Sequence, residues 1–142
     1  MRVLFIDSAF YIAVLNPRDR FHDVATAMRL EFAQRTDLTF VTTEAVLIEV
    51  LTRLSKAGPH VRASAADFVE RLWDDPRLTI LPQESELFFA GLELYRRRLD
   101  KNYSMTDCMS MVICRGRGIT DVLTADHDFE QEGFAVLLKR QR

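Results

Sequence analysis

An alternation constrains this chain more than any single motif does. Strand-like apolar runs at Val3–Ile6, Leu38–Val41, Leu78–Leu81, Val122–Thr124 and Ala135–Leu138 are separated by longer stretches with helical spacing. A strand apolar at every position, such as Val3-Leu4-Phe5-Ile6, suits a parallel sheet covered on both faces, where polar residues need not alternate. Strands alternating with helices imply an α/β domain, a parallel sheet between helical layers joined by right-handed crossovers.

The helical stretches have defined edges. Phe10 to Leu15 reads as a short helix stopped by Asn16-Pro17. His22 to Arg35 is amphipathic through Val24, Ala27, Met28 and Phe32. Glu44 to Lys56 ends at Gly58-Pro59, and Val61 to Trp73 closes at Asp75-Pro76. Glu84 to Leu99 places Leu87, Phe88, Gly91, Leu94, Tyr95 and Arg98 on one side, and Met105 to Cys114 ends near Gly116 and Gly118. There is no repeat, linker or low-complexity tract, so residues 1–142 read as one domain.

Composition excludes several classes. Hydrophobic residues make up 48% and charged residues 28%, as in an ordinary soluble globular protein. No apolar run approaches the roughly 20 residues of a membrane span, and the N-terminus lacks a signal peptide's apolar core and cleavage site. Cys108 and Cys114 fall on different faces of one predicted helix, so a reducing cytoplasm fits better than a disulfide. His22, His60 and His127 are scattered, without zinc-site spacing. The formal net charge of −2 argues against a nucleic-acid partner only on average. Arg96-Arg97-Arg98 with Lys101, Arg115 with Arg117, and Lys139-Arg140 with Arg142 are local basic groups. Such groups usually form a solvated surface and matter only where they flank a site.

The acids carry the chemistry. Asp7 ends the first apolar run, either as the N-cap of the next helix or as a site residue at a strand's carboxyl end. Glu44 suits a first helical turn, where the dipole favours an anion. Glu49 is the lone charge in Ala45–Leu51; it either pairs with Arg53 at i+4 or faces a site. Asp107 sits three residues after Ser104, at capping-box spacing, before a nearly all-apolar helix. Asp126 follows a strand as Asp7 does, with Asp128 two residues on; either could cap a short helix around Phe129. The two strand-end acids are neighbours only if their strands are adjacent. A sheet order of 3-2-1-4-5 gives that adjacency and puts the reversal of strand order between strands one and four.

Asp7, Glu49, Asp107 and Asp126 thus share one side of the sheet. Carboxylates within roughly 4–6 Å repel, and a cation relieves this. Mg²⁺ takes oxygen ligands and suits phosphate sites, and Mn²⁺ suits the same ligands. No Ser-His-Asp set, Cys-His pair or Gly-rich phosphate loop competes with that reading.

At these residues the chain resembles a family. FIDSAF, TTEAVLIEVLTRL, SMTDCMSMVIC and VLTADHDFEQEGF, in that order, resemble the PIN-domain ribonucleases, most closely the VapC-like toxins of bacterial toxin–antitoxin pairs. The resemblance implies a PIN-like three-layer α/β/α sandwich around a five-stranded parallel sheet, and a single nuclease domain over residues 1–142. It implies an acidic quartet at Asp7, Glu49, Asp107 and Asp126, an extra acid at Asp128, and supporting hydroxyls at Ser8, Thr106 and Thr124. It further implies Mg²⁺- or Mn²⁺-dependent cleavage of RNA, a small DNA-binding antitoxin, and a homodimer.

On this reading Asp7, Asp107 and Asp126 hold the ion and Glu49 completes the shell or orients the attacking water. Setting the four acids aside leaves a mildly basic remainder. Arg96, Arg97, Arg98, Lys101 and Arg115 are the candidates for contacts to the RNA backbone. The apolar side of Glu84–Leu99 suits a dimer or antitoxin surface, or simply the core. The competing readings are a non-catalytic PIN-like interaction module and a PIN nuclease with a housekeeping RNA-processing role. A phosphotransfer domain with Asp7 as nucleophile would want a second Asp where Ala9 stands.

Overall fold

The computed structural model describes residues 1–139. Arg140 and Arg142, from the C-terminal basic group, lie outside the described residues. The elements run β1 (Arg2–Ile6), α1 (Ser8–Leu15), α2 (His22–Gln34), β2 (Leu38–Thr43), α3 (Glu44–Leu54), α4 (Pro59–Leu72) and β3 (Leu78–Leu81). They continue with α5 (Ser85–Arg97), α6 (Met105–Arg117), β4 (Asp121–Leu123), α7 (His127–Gln131) and β5 (Ala135–Val136).

The five strands form one sheet in the order β3-β2-β1-β4-β5, and every pairing is parallel. β1 is central, with Phe5 opposite Val41 of β2 and Val122 of β4. Leu4 and Phe5 point to opposite faces, yet both are at most 1% exposed. Both faces are therefore covered, which is why the run needs no polar alternation. Right-handed crossovers moving outward from β1 to β3 put α1–α4 on one face, and the return to β4 puts α5 and α6 on the other. The packing agrees: α1, α2, α3 and α4 pack among themselves, and α5 packs chiefly on α6. Phe10, Phe32 and Phe40 stack across the first layer, with ring centroids 6.3 and 5.6 Å apart.

Several edges differ from the sequence reading, each for a local reason. α1 starts at Ser8, directly after β1. α3 ends at Leu54, ahead of Gly58-Pro59, and α4 opens at Pro59 rather than Val61, where the proline's missing N–H and fixed φ cost nothing. α6 runs past Cys114 to Arg117 and closes on Gly118 at φ 67°, the left-handed conformation that favours glycine. β5 covers only Ala135–Val136, although Leu137 N–H still donates to Val122 O at 3.0 Å. Cys108 and Cys114 are free and buried. No helix among the described residues is long and apolar enough to cross a membrane.

α5 meets α6 most closely at Gly91, where an added Cβ would lie 2.5 Å from Met109 Cγ and 3.2 Å from Met109 N. On the same helix only Gly91 and Leu94 are buried, while Phe88, Phe89 and Tyr95 stay well exposed. Core packing explains only part of that apolar stripe. Gly91→Leu overpacks the contact and should cost about 1–3 kcal/mol. Urea denaturation should show a lower midpoint, and an unchanged midpoint would contradict the close approach.

Candidate metal centre

β1 and β4 end side by side, with Ile6 opposite Leu123. The chain leaves both strands at the point where strand order reverses, so the next residues of each converge. Asp7 N–H donates to Leu123 O at 3.2 Å. Thr124 Oγ1 donates to Asp7 Oδ2 at 2.8 Å. Asp7 does occupy the N-cap position of α1, but its side chain makes no capping bond. The neighbouring strand supplies a better donor than the helix's own first turn, so the capping alternative fails.

The other oxygen of Asp7 has no partner. Among the described residues, the buried side-chain oxygens without one are Asp7 Oδ1, Tyr11 Oη and Ser110 Oγ, and only the first is a carboxylate oxygen. Burial, then the charges of Asp107 and Glu49, push the Asp7 carboxyl up to about 7.

Glu49 comes from α3, whose start is fixed by Thr43 Oγ1 accepting the Val46 N–H at 3.0 Å. Both readings of Glu49 hold at once. Its Oε1 accepts Ser8 Oγ at 2.6 Å, and Arg53 Nη1 lies 4.0 Å from the same oxygen. Glu44 accepts Gln83 N–H at 2.7 Å, a tie between segments that stays outside the site.

Asp107 completes a capping box on α6: its N–H donates to Ser104 Oγ at 3.0 Å, and Ser104 N–H donates to its Oδ2 at 3.2 Å. Oδ1 stays outside the box. Burial first, then the charges of Asp126 and Glu49, raise its carboxyl to about 6. Asp126 caps α7, its Oδ1 accepting Asp128 N–H at 2.9 Å, and its own N–H donates to Thr124 Oγ1 at 3.2 Å. Asp128 is also shifted upward, by burial and by Asp126.

Asp107, Asp126 and Asp128 each present one carboxylate oxygen, all within 4.8 Å of one another. Asp7, Glu49, Asp107 and Asp126 line one cavity of about 420 Å³, together with Ser8, Ser104, Thr124 and Arg53. The expected quartet therefore shares a single pocket, and Asp128 joins it through Asp126. The residues fit a hard divalent cation. The donors are all oxygen, the acids are crowded with only Arg53 among them as a cation, and one buried carboxylate oxygen lacks any hydrogen bond.

Ser8 donates to Glu49 and Thr124 to Asp7, whereas Thr106 makes no side-chain hydrogen bond among the described residues. Ser104 supports Asp107 instead, because a capping hydroxyl must stand three residues before it. Arg53 was legible only as an i+4 partner of Glu49, and the pocket gives it a second setting. Arg98 and Arg115 both bind Glu132, at 2.5 and 2.6 Å; one carboxylate offsets only one of their two charges, and Arg115 stays half exposed. Arg97 and Lys101 make only loose surface pairs, with Glu93 at 3.8 Å and Asp100 at 3.7 Å. Such pairs break at little cost. Arg96 is exposed.

A family model for the PIN domain matches residues 4–134. The 23S rRNA-specific endonuclease VapC20 of Mycobacterium tuberculosis is 30% identical over 132 residues, covering 93% of this chain and 95% of that protein. The crystal structure of M. tuberculosis VapC20, described as a Sarcin-Ricin loop cleaving toxin, matches with TM-score 0.80 at 24% identity, over 96% of this chain and 99% of that one. VapBC2 from Rickettsia felis, bound to a DNA fragment from their promoter, matches with TM-score 0.66 at 14% identity, over 95% and 96% of the two chains. FitAcB from Neisseria gonorrhoeae matches with TM-score 0.60 at 18% identity, over 94% and 96%. At these identities the three structural likenesses speak to the fold.

The upward shift of Asp7 has a signed consequence. Its neutral form is the one the fold favours, so its contribution is fully present below the ordinary carboxylate range and is lost as pH rises through about 7. Metal-free protein should lose on the order of 3 kcal/mol from this group between pH 4 and pH 8. Asp7→Asn should flatten that slope and melt higher than the parent at pH 8. Thermal melts in chelator across this range check it, and parallel slopes for the two proteins would contradict it.

Proposed function

The chain belongs to the PIN-domain family, and from that premise we propose that it is a metal-dependent endoribonuclease that acts as the toxin of a toxin–antitoxin pair. Asp7, Glu49, Asp107 and Asp126 form its acidic centre, with Asp128 beside them. The observation that carries this reading is the unpartnered Oδ1 of Asp7, buried in a pocket shared with three further carboxylates. Leaving such an oxygen unsatisfied costs about 1–3 kcal/mol, a cost that a bound cation removes.

Mg²⁺ or Mn²⁺ suits the donor set, held by Asp7, Asp107 and Asp126 with Asp128 in support. When bound, such an ion makes a water more acidic and offsets charge on the phosphodiester. The protein's own groups do the rest. Thr124 fixes Asp7 through one oxygen and leaves the other free. Ser8 orients Glu49, which completes the shell or aligns the attacking water. The Ser104 box holds Asp107 in the first turn of α6. Arg53, on the same pocket and 64% exposed at its side chain, supplies the positive charge that a phosphate needs beside so many acids. Arg96, Arg97 and Lys101 extend that charge along the surface.

The relative named a 23S rRNA-specific endonuclease supports ribosomal RNA as the substrate class, and the Sarcin-Ricin loop as the first target to try. Ribosomal RNA would place its action in the cytoplasm. The VapBC2 complex on promoter DNA supports a small DNA-binding antitoxin as partner. The exposed Phe88, Phe89, Tyr95 and Leu99 favour a second copy of this chain against α5.

Cleavage of 23S rRNA, or of a hairpin carrying its Sarcin-Ricin loop, tests the reading. Asp7→Asn and Asp107→Asn should each lower the rate at least about a hundredfold while the protein stays folded, as expected for loss of a group acting on the reacting centre. Arg53→Ala should weaken RNA binding and reduce the salt dependence of binding by about one phosphate contact. Full activity in folded Asp7→Asn would refute the acidic centre.

A further inference from the structure

We propose that Glu132 is a positioning residue of the metal centre: it pins α7, which carries Asp128 and is capped by Asp126, to the segment that leads into Asp107. The inference rests on the metal-centre reading above and adds to it a residue that does not line the pocket.

Asp107, Asp126 and Asp128 crowd their oxygens within 4.8 Å of one another. Their mutual repulsion drives α7 away from the start of α6. α7 has only five residues, too few to resist by its own hydrogen bonds. What opposes the repulsion lies at the other end of the helix. Glu132 is the C-cap residue of α7, and its N–H donates to Asp128 O at 3.3 Å. Its side chain is only 5% exposed, although it carries a charge. Oε1 accepts Arg98 Nε at 2.5 Å and Tyr103 Oη at 3.1 Å. Oε2 accepts Arg98 Nη2 at 3.3 Å and Arg115 Nη2 at 2.6 Å, and Arg115 Nη2 also reaches Glu132 O at 2.9 Å.

These donors come from three neighbouring segments. Arg98 ends α5, and Arg115 lies near the end of α6. Tyr103 directly precedes Ser104, whose hydroxyl and N–H form the box around Asp107. One carboxylate thereby links the backbone of Asp128 to the backbone that presents Asp107. Apolar packing would serve stability equally well. Charge-assisted bonds from two guanidiniums and a phenol additionally fix direction, and direction is what ligand groups on separate elements need. Phe129, fully buried against Phe134, anchors the body of α7.

The test measures Mn²⁺ affinity by electron paramagnetic resonance of the free ion, well below every melting temperature. It compares the parent, Glu132→Gln, Tyr103→Phe, Asp126→Asn and the distant core variant Val69→Ala. Glu132→Gln should raise the Kd for Mn²⁺ about 10- to 100-fold, the range for lost outer support of a metal ligand. Tyr103→Phe, which keeps the ring and the fold, should raise it by a smaller factor and stands in if Glu132→Gln fails to fold. Val69→Ala should lower the melting temperature and leave the Kd unchanged. At saturating Mn²⁺, kcat of the Glu132 variant should return towards the parent value. If the parent and Asp126→Asn bind Mn²⁺ equally weakly, the metal centre itself falls and takes this inference with it. If the parent binds and neither Glu132→Gln nor Tyr103→Phe shifts its Kd beyond twofold, this inference alone falls.

Discussion

The fold depends on an unfavourable interaction that it contains rather than avoids. Carboxylates from separate stretches of chain are brought into one pocket, two of them buried, held by hydroxyls, main-chain N–H groups and, at Glu49 alone, a guanidinium 4.0 Å away. Bringing β1 and β4 together at the reversal of strand order sets Asp7 against Thr124 and Asp126. Every later feature of the site answers the resulting repulsion. Asp7 and Asp107 sit well above the ordinary carboxylate range, Glu49 leans on Ser8, and Glu132 braces α7 from behind.

The division of labour among hydroxyls follows from geometry. Thr124 stands at a strand end and serves two acids, donating to Asp7 and accepting the N–H of Asp126. Ser104 serves one acid through a reciprocal box. In each case one carboxylate oxygen is used for orientation, which leaves the other for chemistry. Stability and activity therefore pull in opposite directions here. The same charges that raise the energy of the metal-free fold are those that attract a cation and, behind it, a phosphate.

Much of this was legible in the residues. The unbroken apolar run from Val3 to Ile6 announced a two-sided parallel sheet, and the need to bring Asp7 beside Asp126 pointed to the order 3-2-1-4-5. Helix edges set by Asn16-Pro17 and Gly118 were readable because glycine and proline act locally. The stop at Gly58-Pro59 was legible too, but not that the same proline opens the next helix. What the residues hid was pairing across distance. Glu132 stood only within the stretch VLTADHDFEQEGF, with no role of its own, and its partners Arg98 and Arg115 read as contacts to the RNA backbone. Only the packing of α5, α6 and α7 brings them together, at separations of 34 and 17 residues. Thr106 and Ser104 are equally small and hydroxylated, and the choice between them rests on which one stands at the start of α6.

The central claim is that the crowded acids at the end of β1 and β4 make a cation site. Anomalous scattering from crystals grown with Mn²⁺ tests it most directly. The account predicts a manganese peak within coordination distance of Asp7, Asp107 and Asp126. A crystal that places those carboxylates in this pocket, with Mn²⁺ in excess and no peak among them, would contradict it.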